Sequence, residues 1–68
     1  MDGKRIKIRL LEIGKTQRWL CRQLNQNGFK SLVESTLSSI LTGDYTGPLA
    51  ENVLKESEEI LKALDVQR

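Results

Sequence analysis

"GKTQRWLCRQL", residues 14–24, and "VESTLSSILTG", residues 33–43, decide how this chain is read. Gly14 suits the left-handed stop just past a helix, with Lys15 beside the carbonyl end. Thr16 then offers a side-chain oxygen to cap a new helix. Trp19, Leu20 and Leu24 make the apolar stripe of that helix, which the spacing predicts to Leu24 or Asn25. Cys21 lies within the stripe. It is either a small buried residue where another helix crosses, or a reactive thiol. Cysteine packs as a small hydrophobe, and no histidine exists anywhere in the chain to activate it. A buried structural role therefore leads, and a redox sensor using an intermolecular disulfide is the alternative.

The second stretch reads as another short helix. It is predicted to start near Ser31, where Ser31 and Glu34 have the spacing of a capping box. Val33, Leu37, Ile40 and Leu41 form its apolar stripe, and Gly43 stops it. The opposite face holds Glu34, Ser35, Ser38, Ser39 and Thr42. Serine is a poor helix-surface residue if stability alone is at stake, so a face this short-sided suits close approach to another surface, the alternative being a merely tolerated polar face. Between the two helices, "NQNGFK" is a loop by composition, with Gly28 free to take positive φ.

A first helix is predicted over Lys4–Ile13, with Ile6, Leu10, Leu11 and Ile13 inward and Lys7 and Arg9 outward. "DYTGP" is a turn. Pro48 opens a last helix to about Leu64, with Glu51 in its first turn in agreement with the macrodipole. Its apolar side is Leu49, Val53, Leu54, Ile60, Leu61 and Leu64. The fold class expected is all-α, a small four-helix domain spanning residues 1–68 with no linker or repeat.

At 68 residues only one modest core is available, because a chain this short buries only about 60% of its unfolded surface. The single cysteine excludes an internal disulfide, and the lack of histidine removes the usual zinc sets and the commonest general base. No metal, no cofactor and no catalytic residue is read from the sequence, and an enzyme is not expected. No targeting or membrane-spanning segment is read either, so a cytoplasmic, nucleoid-associated location is expected. Net charge is +2 but uneven. Residues 1–30 carry eight Lys/Arg against two acids, or +6, and residues 31–68 carry three against seven, or −4. That asymmetry suits a basic face meeting something anionic, and equally a set of ordinary solvated helix faces.

The ordered set Thr16-Gln17, Leu20-Cys21, Leu24, Leu37, Ile40 and Thr42-Gly43 resembles the lambda-repressor-like (XRE/Cro-type) helix-turn-helix family of DNA-binding regulators. The likeness covers roughly residues 4–64. In that family a Thr-Gln pair opens the second helix, a Leu-Ala pair follows, and the third helix carries the core pair. Cys21 stands where the family usually has alanine, at the closest approach of two helices. The resemblance implies a sequence-specific transcriptional regulator that binds double-stranded DNA, expected as a homodimer. The helix at about 32–42 would lie in the major groove. Glu34, Ser35, Ser38, Ser39 and Thr42 are then the candidates for base contacts, and Lys15, Gln17, Arg18, Arg22, Lys30 and Tyr45 for phosphate contacts. Tyr45 fits equally well as a half-exposed cover on the core. Trp19 reads as core or interface. Leu61 or Leu64 is the expected dimer contact.

Two departures from the pattern stand out. The turn is about six residues longer than the family's few residues, and the 25–31 segment is either a small wing carrying Lys30 or a site for a regulatory protein partner. The third helix also lacks the Arg, Lys, Asn and Gln that make most bidentate base contacts. The second function class is therefore a protein-binding module, an antirepressor or adaptor that keeps the fold without reading DNA.

Overall fold

The computed structural model describes residues 3–66, which form four α-helices joined by short connections. They are α1 (Gly3–Ile13), α2 (Gln17–Gln26), α3 (Glu34–Thr42) and α4 (Pro48–Val66). No strand occurs among the described residues. Asp2 and Arg68, which enter the charge balance, lie outside them.

Each helix buries one stripe. Ile6 and Leu10 of α1, Leu20, Cys21 and Leu24 of α2, and Leu37, Ile40 and Leu41 of α3 meet in a single core. The stripe of α4 runs through Ala50, Val53, Ser57 and Leu61. α3 packs against all three other helices, and α4 does the same. No described helix is long and apolar enough to cross a membrane.

Several inward assignments are corrected. Leu11 is 80% exposed, because it lies about 100° round the helix from Leu10, outside the row that reaches α3 and α4. Val33 and Leu49 are exposed as well. Leu32, buried in the connection, holds the core position that periodicity assigned to Val33. On α4 the expected Val53 and Leu61 are buried and Leu54, Ile60 and Leu64 pack half-buried against the core, while Ala50 and Ser57 join the buried seam. Ser57 is fully buried, and its hydroxyl donates to the Val53 carbonyl at 2.7 Å, so no polar atom is orphaned. Leu61 is buried within this same core, and Leu64 packs half-buried against it.

Gly3 marks a close approach of α1 to α3. A Cβ at that position would sit 2.8 Å from the Leu41 Cα. Any larger residue would have to push the start of α1 away from the end of α3. This contact fixes how the C-terminal end of α3 is held.

Candidate functional site

The start of α2 is built from Lys15, Thr16 and Trp19. Thr16 is extended (φ −106°, ψ 165°), and its hydroxyl oxygen accepts from the Trp19 N–H at 3.1 Å. This satisfies one of the orphan donors of the first turn. The Trp19 ring packs half-buried against the core, and the Lys15 ammonium stands 5.3 Å from its centroid. Lys15 is thus engaged with an aromatic face at the head of α2. Gln17 is half-buried as the first helical residue. Arg18 and Arg22, four residues apart and both exposed, share one side of α2.

The connection from Asn27 to Val33 is compact. Asn25 is half-buried near the end of α2, and its side-chain amide donates to the Phe29 carbonyl at 2.7 Å and the Leu32 carbonyl at 3.0 Å. The Cys21 thiol donates to the same Leu32 carbonyl at 3.6 Å. Gly28 takes φ 113°, a value side-chain-bearing residues rarely adopt. The segment is therefore a pinned turn without strand. It presents Lys30 to solvent.

These contacts also correct the capping box. With Phe29 and Leu32 tied to α2, residues 29–32 form a turn, in which the Leu32 N–H donates to the Phe29 carbonyl. The helix cannot start until Glu34. Ser31 is exposed and three residues upstream. Val33 occupies the cap position, extended at φ −110° and ψ 161°, with no side-chain hydrogen bond to the first turn.

The outer face of α3 carries Glu34, Ser35 and Thr42 exposed and Ser38 and Ser39 half-buried. Glu34 accepts an ion pair from Arg18, Nε to Oε2 at 3.5 Å. Arg18, expected at a phosphate, therefore bridges α2 to the first residue of α3. The Thr42 hydroxyl is placed to donate to the Ser39 carbonyl at 3.1 Å or the Asp44 carboxylate at 3.3 Å. Its hydrogen is committed locally and its lone pairs remain. Gly43 closes α3 in the left-handed region at φ 89°. The Tyr45 N–H then donates to the Ser39 carbonyl at 3.1 Å. Tyr45 is 41% exposed and lies on an open groove of about 300 Å³ shared with Gly3, Thr46, Glu51 and Leu54.

Cys21 is buried, and burial pushes its thiol above the ordinary value of 9.0, with the Glu34 charge adding to the rise. A thiol held protonated is a poor nucleophile. Its carbonyl partner and its place in the core favour the structural role over the redox one. Sequence reading missed Asn25 and Leu32. The available signal was weak: an asparagine at the end of a helix, and an apolar pair, Phe29 and Leu32, inside a polar loop.

No family model, curated protein or solved structure matches this chain. The functional reading therefore rests on the residues alone.

Proposed function

We propose that this chain is a sequence-specific DNA-binding regulator of the helix-turn-helix type, with α3 entering the major groove and α2 lying across the backbone. The observation that carries the reading is the outer face of α3. Five polar or acidic side chains, Glu34, Ser35, Ser38, Ser39 and Thr42, share one helix face, on which Glu34, Ser35 and Thr42 are exposed and Ser38 and Ser39 half-buried. Exposed Arg18 and Arg22 run along the neighbouring helix. A face of short side chains lets a helix backbone sink into a groove, and cations beside it offset the phosphates on the groove walls. Lys15, Gln17, Lys30 and Tyr45 are the further phosphate candidates. The protein is proposed to act as a homodimer, with no cofactor and no catalytic step.

The second reading is a protein-binding module. It draws on Ile8, 57% exposed, and Leu11, 80% exposed, which stand three residues apart on α1. Isolated surface leucines are ordinary, so this spot weighs less than the α3 face.

The test is affinity for a duplex selected from a random library and for a scrambled duplex, measured at several salt concentrations. Arg22→Ala should weaken both duplexes and flatten the salt slope by about one unit. Ser38→Ala should leave the slope in place and lower the ratio between the duplexes. If affinity does not change with salt and the ratio is one, the adaptor reading replaces this one.

A further inference from the structure

The Arg18–Glu34 ion pair joins α2 to α3 at the edge of the candidate face, and stability does not explain it. The two side chains are 72% and 52% exposed, and a pair that open to water contributes little. Glu34 is also an awkward residue to bring toward a polyanion, since its charge repels phosphates. The guanidinium beside it offsets that repulsion.

The two groups have complementary hydrogen-bonding capacity. An ionised carboxylate only accepts, and a guanidinium only donates. In the major groove a C·G pair presents the cytosine N4 donor next to the guanine O6 and N7 acceptors. Adenine sets its N6 donor beside its own N7 acceptor, which repels a carboxylate. The Arg18 contact to Glu34 runs through Nε, and the terminal nitrogens carry further donors. We propose that Arg18 and Glu34 act as one unit that reads a C·G base pair, with Glu34 accepting from cytosine N4 and Arg18 donating to guanine. This rests on α3 meeting DNA as proposed above. It changes the role of Arg18 from phosphate anchor to reader, and it gives the α3 face the strong base contact that its serines lack.

The experiment is binding-site selection from a random duplex library with the wild-type chain, Glu34→Gln, Arg18→Ala and the double variant, each checked for helicity by circular dichroism. The wild-type sites should share a C·G pair at one position. Glu34→Gln removes the charge with little change of shape. It should move preference at that position alone from C toward A, because glutamine pairs bidentately with adenine. Affinity for the wild-type site should drop about tenfold or more. Arg18→Ala leaves the carboxylate without its partner and should cost more affinity than Arg22→Ala, and Glu34→Gln in the double variant should restore part of that loss. If the single variants lower affinity for selected and scrambled duplexes equally, with base preference unchanged at every position, the pair does not read bases, although the DNA-binding reading survives. If the wild-type chain retains no duplex at low salt, both fall together.

Discussion

The two helices that meet through Arg18 and Glu34 begin in opposite ways. α2 starts at Thr16, whose hydroxyl caps the first turn. α3 starts at Val33, an exposed β-branched residue with no capping bond. A valine at this position costs about 1 kcal/mol against serine or threonine. α3 is held instead from upstream, where Asn25 and Cys21 bind the Leu32 carbonyl and Leu32 fills the core. The first start is built for stability. At the second, the anchoring has moved into the connection, and the surface end of the helix is left with an apolar cap and an ion pair.

The most severe way to break this contrast is Asn25→Asp. The change replaces two donors with an acceptor facing two carbonyl oxygens, and it should cost about 3 kcal/mol or more. Denaturant melts measure it, and a loss under about 0.5 kcal/mol would mean that the connection does not anchor α3. Thr16→Ala should cost about 1 kcal/mol by the same measurement. Val33→Ser runs the other way. It supplies the missing cap and should raise stability by about 0.5–1 kcal/mol, and a drop of that size would show that Val33 packs in a way its exposure does not reveal.

The smallest effect is one of pH. The Cys21 thiol is raised above 9.0 by burial and then by Glu34, so the folded chain holds its proton more tightly than the unfolded one. Its contribution to stability is complete below 9.0 and is lost as pH rises through the higher folded value. Between pH 8 and pH 10.5 the wild type should lose more stability than Cys21→Ala. Equal losses would place the thiol in water.

Four helices were legible because their apolar spacing and punctuation agree. Thr16, Gly14, Gly43 and Pro48 each fall at or beside the helix end they were read to mark. The α3 start was misread because Ser31 and Glu34 have the right spacing for a cap, while the hydrogen bonds that delay the helix come from Asn25 and Cys21, on another element. Periodicity placed Leu11 and Val33 inside because it records spacing without knowing which neighbour covers each side. Gly3 and Ser57 were invisible for a related reason, since the close approach of Gly3 to Leu41 and the burial of Ser57 exist only once the helices pack. The outer face of α3 was read correctly as a set of residues sharing one side. The pairing of Arg18 with Glu34 was not legible, because fifteen intervening positions separate two helix starts that only the fold brings together.

The central claim is that the face of α3 is a DNA-contacting surface, and amide chemical shifts during titration with a selected duplex test it most directly. The account predicts shifts concentrated in Glu34–Thr42 and Gln17–Arg22, with Glu58, Glu59 and Lys62 of α4 unmoved. Shifts confined to the Ile8 and Leu11 side of α1, or no shifts at low salt, would contradict it.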